Sequence, residues 1–115
     1  MNKITALIQV TKLNDAKNAL IERGVLGLTI TSVQGYGRQR GHGATHLSYR
    51  NNTKVVEFQA KVRLEVVVSE ELTAEVVEAI VKSCQTGSIG DGKIFISPVT
   101  QAVRIRTQDQ DDAAL

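Results

Sequence analysis

The chain has 115 residues, a length that suits a single domain. Hydrophobic residues make up 42% and charged residues 23%, as in ordinary globular proteins, and the net charge of +2 is too small to indicate a general polyanion partner. Aromatic residues amount to 3% and tryptophan is absent, which disfavours a nucleic-acid binder that stacks bases on flat rings.

The first third of the chain alternates between strand and helix patterns. Residues 4–10 alternate apolar and polar side chains, which predicts a strand with one apolar face. Asn14 and Asp15 predict the start of a helix that runs to about Arg23, with apolar residues at helical spacing. Residues 26–34 are rich in β-branched side chains and predict a second strand.

A long polar excursion follows the second strand. Residues 35–54 contain four glycines and two asparagines and have almost no apolar side chains. Segments of this length inside a compact domain are usually either functional or disordered.

The second half repeats the alternation of strand and helix. Residues 55–68 predict a strand, and Ser69 is a natural N-cap for a helix whose apolar stripe runs to Cys84. Residues 93–99 predict a further strand and residues 102–107 a short final one. The polar residues 108–115 predict a flexible C-terminal tail beyond a domain that spans residues 1–107.

The order β-α-β-β-α-β predicts an α+β, ferredoxin-like domain with an antiparallel sheet and two helices on one face. Val66 and Val68 can point to one face of this sheet while Val67 points to the other. Both faces then carry apolar side chains, which favours self-association through the face that the helices leave open.

Cysteine content and hydropathy predict the compartment. A single cysteine, Cys84, cannot form an internal disulfide, which favours a reducing environment. No apolar run approaches the roughly 18 residues of a membrane span, and the N-terminus lacks a signal-peptide pattern. We therefore expect a cytoplasmic protein with no membrane insertion.

The stretch TGSIGDGKIF, residues 86–95, is the first candidate site. Backbone N–H groups around Gly87, Gly90 and Gly92 can converge on an anion because glycine imposes no Cβ obstruction. Lys93 adds a positive charge, and Asp91 can fix the turn through its carboxylate.

Two further cationic segments extend this candidate site. Arg104 and Arg106 alternate with apolar residues and would project from one side of the predicted final strand. The end of the second strand adds a glycine-rich cationic turn with Gly35, Gly37, Arg38, Gln39 and Gly41. These segments predict a phosphate site, with an ordinary turn and solvated arginines as the alternative interpretation.

Two motifs resemble those of the PII signal-transduction family. TGSIGDGKIFISPV at residues 86–99 is similar to the family's C-terminal motif, and GYGRQRGH at residues 35–42 is similar to its GFGRQKGH. RIRTQ, which contains Arg104 and Arg106, resembles the family's RIRTG, and the likeness extends over residues 4–107. The resemblance implies a ferredoxin-like homotrimer that binds ATP or ADP in clefts between subunits. It also implies 2-oxoglutarate beside Mg-ATP, and a target-binding T-loop at about residues 37–55.

The resemblance assigns residues by motif. The implied nucleotide-binding residues are Gly35, Tyr36, Gly37, Arg38, Gln39, Glu65, Gly87, Gly90, Asp91, Gly92, Lys93, Phe95, Arg104 and Arg106. The implied contacts to 2-oxoglutarate or another anionic effector are Gln39, Gly41, Lys61 and Gly90, with Gln39 also contacting Mg²⁺.

The T-loop departs from the family pattern. Where typical members read TELYRGAEYVVDF, this chain reads GATHLSYRNNTKVVEF, three residues longer. Tyr49 and Arg50 match the first Tyr-Arg, whereas Lys54 aligns with the tyrosine that many relatives uridylylate. We expect Tyr49, Arg50 and Lys54 to contact an unknown target, such as a transporter or a metabolic enzyme. These differences leave open a PII-like regulator of inorganic-carbon or other transport that senses ADP or AMP.

Three functions from different classes follow. The first is a non-catalytic sensor in nitrogen or related metabolism, in which the ligand orders the T-loop. The second is a slow ATPase, although no organised base and nucleophile stand out. The third is a structural trimer or an RNA-binding domain, which the few aromatic residues disfavour. His42 and His46 are too few for a metal site. The sensor is the function that we expect.

Overall fold

The computed structural model describes residues 1–37 and 58–115 of the chain. Its regular elements follow the order β-α-β-β-α-β, with a short 3-10 helix after the first strand and another near the C-terminus. The elements are β1 (Asn2–Gln9), α1 (Leu13–Glu22), β2 (Thr29–Tyr36), β3 (Phe58–Val68), α2 (Glu70–Cys84) and β4 (Lys93–Pro98), with 3-10 helices at Val10–Lys12 and Asp111–Ala114.

The four strands form one antiparallel sheet in the order β2-β3-β1-β4. The strand β1 lies in the middle, where Ile4 pairs with Val66 of β3 on one side and with Ile96 of β4 on the other. This order, with one helix after β1 and one after β3, confirms the predicted ferredoxin-like α+β fold.

The hydrophobic core lies between the two helices and one face of the sheet. Alternate residues of β1 and β3 point into it, because successive side chains of a strand face opposite sides. The largest fully buried side chains are Ile4, Ile8, Leu20, Leu64, Val76 and Ile80. Val66 and Val68 are buried in the same cluster, whereas Val67 faces the other side, as the sequence predicted.

The helix N-termini differ in detail from the prediction. The predicted caps of the first helix, Asn14 and Asp15, were wrong, because the helix already begins at Leu13 and Lys12 occupies its N-cap. The 3-10 turn before it continues directly into the helix and therefore moves its start toward β1. Ser69 holds the predicted N-cap position of α2, but its hydroxyl makes no capping hydrogen bond.

The predicted final strand at residues 102–107 was wrong. Val103 forms only an isolated antiparallel bridge with Gln110, and the amide of Gln108 donates to the carbonyl of Arg104 at 2.7 Å. The segment therefore turns back on the residues that follow it instead of joining the sheet. The composition predicts a flexible tail at residues 108–115. In the structure, backbone hydrogen bonds join Asp109 to Arg104 and Asp111 to Ala102, so this segment contacts residues 102–104.

Within residues 1–37 and 58–115, no helix is both long and apolar enough to cross a membrane.

Candidate functional site

The face of the sheet that α1 and α2 do not cover carries several of the predicted site residues; we call it the open face. Lys61 and Glu65 lie on it in β3, and Lys93 and Phe95 lie on it in β4. The register explains this placement, because Phe95 and Glu65 both pair with Thr5, whose neighbours Ile4 and Ala6 are buried on the opposite side. The core and the candidate site therefore use alternate residues of the same strands.

The carboxylate of Asp91 organises the glycine-rich turn between α2 and β4. It accepts hydrogen bonds from the amides of Thr86 at 2.8 Å and Gly87 at 2.9 Å, and from the Thr86 hydroxyl. The side-chain amide of Gln9, at the end of β1, donates to it at 3.2 Å. The predicted role of Asp91 in fixing the turn is confirmed.

These hydrogen bonds change the acidity of Asp91. The hydroxyl of Thr86 makes the largest contribution, and with the amides of Thr86 and Gly87 it holds the pKa of the Asp91 carboxyl below its ordinary range. The carboxylate is thus ionised at neutral pH. The first two amides of the predicted anion cradle are already occupied by an internal anion.

Gly92 brings the turn into contact with β1. A Cβ atom at this position would lie 1.7 Å from the carbonyl oxygen of Leu7, and the residue has a left-handed φ of 102°. No side chain larger than hydrogen fits without a shift of the backbone. Lys93 follows at once and pairs with Leu7 on the open face, so this close approach fixes where the Lys93 side chain begins.

Lys61, near the start of β3, contacts the same turn. Its ammonium group donates a hydrogen bond to the carbonyl of Gly90. Gly35, on the neighbouring strand β2, leaves room for the lysine, because a Cβ there would lie 3.2 Å from the Lys61 Cγ atom. Three residues predicted from separate parts of the sequence therefore meet at one end of the open face.

Three charged side chains lie close together further along the same face. Glu65 is 3.2 Å from the ammonium group of Lys3 and 3.1 Å from the Nε atom of Arg63. The Arg63 Nε atom is itself buried and has no aligned hydrogen-bond acceptor among the described residues. The open face is therefore both charged and partly apolar, with Leu7 and Val67 half-buried on it.

Two aromatic rings lie at the last residue of β2 and the first residue of β3. Tyr36 and Phe58 pair across β2 and β3, and their ring centroids are 6.0 Å apart. Both side chains are about two-thirds exposed, at 66% and 67%. Gly37 directly follows Tyr36 and is the last described residue before Phe58.

Arg104 and Arg106 are not joined to the turn. Among residues 1–37 and 58–115, no hydrogen bond or ion pair connects either guanidinium group to residues 86–93. The Nη2 atom of Arg104 instead donates to the backbone oxygen atoms of Leu115 at 3.0 Å and Ala114 at 3.4 Å. Since there is no final strand, the prediction that both arginines project from one side of it was also wrong.

Several predicted residues lie outside the described part of the chain. They are Arg38, Gln39 and Gly41 of the expected nucleotide and effector sites, Tyr49, Arg50 and Lys54 of the expected target-binding loop, and His42 and His46. In the described part, no group of three or more His, Cys, Asp or Glu side chains could hold a metal ion.

A cavity of about 340 Å³ lies on the helix side of the sheet, between the end of α2 and the start of β4. Ile8, Val77 and Ile80 give it an apolar lining, and Cys84 is buried beside them. Burial raises the pKa of the Cys84 thiol, which keeps it protonated and unreactive. The predicted core role of Cys84 is confirmed.

Sequence reasoning missed Gln9 and Thr86, which both hold Asp91. The signal for Thr86 is a hydroxyl five residues before the aspartate, within reach of it across a turn. The signal for Gln9 is weaker, because a polar residue at a strand end is common and its partner is 82 residues away in the sequence.

Comparisons with known proteins agree with the motifs. A family model described as Nitrogen regulatory protein P-II matches residues 1–109. The chain belongs to the nitrogen regulatory P-II family. It is 47% identical over 115 residues to nitrogen regulatory protein P-II of Klebsiella oxytoca and to nitrogen regulatory protein P-II 1 of Escherichia coli (strain K12), with all of each chain covered. It is 49% identical, also with full coverage, to nitrogen regulatory protein P-II of Haemophilus influenzae.

Membership of the P-II family determines the general class of function. The relatives are named as regulatory proteins and not as enzymes, in agreement with the predicted non-catalytic role. The chain is therefore a signal-transduction regulator of the P-II type, a class that acts on target proteins. The slow ATPase that the sequence left open has no support from these names.

Proposed function

We propose that this chain forms a homotrimer that binds ATP or ADP in clefts between its subunits and controls a target protein through the loop at residues 37–55. The observation that carries the proposal is the convergence of Lys61, Gly90 and Lys93 at one end of the open face. Backbone amides and ammonium groups there offer a flexible phosphate tail several donors in one place.

The position of Asp91 indicates which part of the turn is available to a nucleotide. Because Asp91 occupies the amides of Thr86 and Gly87, we assign phosphate oxygens to the later part of the turn and to Lys93. Gly87, with its left-handed φ of 87°, contributes by allowing the chain to turn around the carboxylate.

The arginines supply the argument for a site between subunits. Arg104 and Arg106 make no hydrogen bond or ion pair with the turn of their own chain in the described residues. We infer that they reach the phosphates bound at the turn of a neighbouring subunit. A three-fold arrangement with the open faces inward would also cover Leu7 and Val67, and it would surround the buried Nε atom of Arg63.

The second effector would act through Lys61. A dicarboxylate such as 2-oxoglutarate offers the ammonium group a stronger acceptor than the neutral carbonyl of Gly90. Lys61 lies three residues after Phe58, the first residue of β3, so such a ligand would bind close to the end of the loop. Gln39 and Gly41 would complete the effector site, with Gln39 also contacting Mg²⁺, and the ordered loop would bind the target through Tyr49, Arg50 and Lys54.

Calorimetric titration with ATP and ADP tests the nucleotide site. We expect Lys93→Ala and Arg104→Ala each to weaken binding by about tenfold or more, because each removes a charge-assisted contact to phosphate. Lys82→Ala is the matched control, since Lys82 is an exposed lysine that pairs with Glu78 on the surface of α2 at 2.7 Å. Wild-type affinity in both site variants would contradict the assignment.

The same titration separates the effector classes. Each nucleotide, including AMP, is measured with and without Mg²⁺, 2-oxoglutarate and bicarbonate. Tighter ATP binding with 2-oxoglutarate, lost in Lys61→Met, supports a nitrogen-type regulator. The unusual loop sequence favours the second candidate, a regulator of inorganic-carbon or other transport, and a preference for ADP or AMP with a response to bicarbonate would support it.

A further inference from the structure

The C-terminal residues fold into a compact structure against residues 102–104. The amide of Asp111 donates to the carbonyl of Ala102 at 2.8 Å, and the Asp111 carboxylate accepts from the Ala102 amide at 3.3 Å. The amide of Arg104 donates to the carbonyl of Asp109 at 2.9 Å. Together these bonds close residues 102–111 into a loop from which the final 3-10 turn follows.

The final turn contacts the side chain of Arg104. The amide of Ala113 donates to the carbonyl of Gln110 and the amide of Leu115 donates to the carbonyl of Asp112, each at 3.2 Å, and these two bonds hold the turn. The backbone oxygen atoms of Ala114 and Leu115 accept hydrogen bonds from the Nη2 atom of Arg104. Arg104, Ala114 and Leu115 are partly buried, whereas residues 105–113 are exposed, in agreement with this contact.

The contact uses only part of the guanidinium group. Arginine has five N–H donors in a rigid plane, and here a single nitrogen is committed to the C-terminal turn. The Nε and Nη1 donors are left for an anion. Arg106 is exposed, and no hydrogen bond or ion pair holds its side chain to another part of the described chain.

We infer that the C-terminal turn, residues 111–115, positions Arg104 for phosphate oxygens and so raises the affinity of the nucleotide site; this inference rests on the proposed function. A side chain held in place before binding loses less conformational entropy when the ligand arrives. The two arginines are therefore not equivalent, since Arg104 is preorganised by the turn and Arg106 is not.

The test breaks the turn in the full-length chain. The double variant Ala113→Pro, Leu115→Pro removes both amide donors of the final turn and disfavours its conformation at the preceding residues. We expect ATP to bind about threefold to tenfold more weakly, the amount that ordering one long side chain costs. Circular dichroism and native mass spectrometry check that the fold and the assembly are unchanged.

A double-mutant cycle shows whether the turn acts through Arg104. In an Arg104→Ala background, the proline pair should cause no further loss, whereas in the matched Arg106→Ala background it should cause the full loss. Nitrogen-15 relaxation of the nucleotide-free protein gives an independent readout, in which the Nε of Arg104 is more ordered than that of Arg106 until the prolines are introduced.

Three results would overturn the inference. Equal losses in both arginine backgrounds would mean that the turn acts elsewhere. Tighter ATP binding in the proline variant would mean that the turn blocks Arg104 instead of presenting it. If the wild-type protein binds no nucleotide, both the proposed function and this inference fail, whereas normal wild-type binding with either of the first two results rejects the inference alone.

Discussion

The two faces of the sheet carry different kinds of side chain. On the helix side, β1 and β3 contribute apolar residues such as Ile4 and Leu64, both fully buried. On the open face, the intervening residues include Lys61 and Glu65, which make polar contacts. Adjacent residues of one strand therefore affect different properties of the protein, because successive side chains point to opposite sides of the sheet.

The largest expected effect is at Gly92, where the glycine-rich turn meets β1. Gly92→Ala would place a Cβ atom 1.7 Å from the Leu7 carbonyl oxygen, and we expect it to lower the free energy of unfolding by about 3 kcal/mol or more. Chemical denaturation measures this loss.

Gly87→Ala is the matched control for Gly92. Gly87 has a similar left-handed φ, but nothing lies within 4 Å of the position that an alanine methyl group would take there. Only the conformational strain of about 1–2 kcal/mol is therefore expected. Equal losses at the two glycines would contradict the view that close contact with β1, and not backbone strain, fixes the turn.

Val66→Ala and Val67→Ala change one residue on each face of the sheet and test whether the two faces contribute differently to the free energy of unfolding. Val66 is 4% exposed in the core, and its truncation should cost about 2 kcal/mol of unfolding free energy. Val67 lies half-buried on the open face, and its truncation should cost the single chain less than about 1 kcal/mol.

The two valine variants should also differ in how their loss of stability depends on protein concentration. If the open faces meet in an oligomer, the loss caused by Val67→Ala becomes dependent on protein concentration, because it weakens assembly. The loss at Val66 is expected to change little with concentration in comparison. If urea denaturation at several protein concentrations gives the same loss of stability for both variants, the proposed difference between the two faces is wrong.

The smallest effect concerns pH at the turn. Hydrogen bonds from Thr86 and Gly87 lower the pKa of Asp91, so the carboxylate stabilises the turn fully above its unfolded pKa of about 4. This stabilisation is lost as the pH falls through the lower pKa of the folded state. The amide proton shifts of Thr86 and Gly87 should therefore stay constant down to about pH 4 and change only below it.

Asp91→Asn is the control for the pH titration. It removes the titrating carboxylate, so the shift change below about pH 4 should disappear from both amides. A midpoint at or above the ordinary aspartate value in the wild-type protein would contradict the hydrogen-bonded arrangement of the turn.

Much of the fold could be predicted because it depends on local periodicity. Alternation over residues 4–10 and the apolar stripe up to Cys84 both encode which side of an element is buried. The same reasoning failed at residues 102–107, where the side chains alternate but the chain turns back on residues 108–111 instead of joining the sheet.

The site was predictable in its residue types but not in its contacts. The glycines and Lys93 stand out as a motif, and Asp91 suggests a fixed turn. The hydrogen bond from Lys61 to Gly90 joins residues 29 apart, and the one from Gln9 to Asp91 joins residues 82 apart. Such contacts depend on strand order and register, which no single segment of the sequence encodes.

Native mass spectrometry of the purified full-length chain with saturating ATP or ADP tests whether subunits assemble around bound nucleotide, because it counts subunits and ligands in one spectrum. We expect a trimer that carries up to three adenine nucleotides, with fewer in the Lys93→Ala variant. A monomer, or a trimer that retains no nucleotide at any concentration, would contradict it.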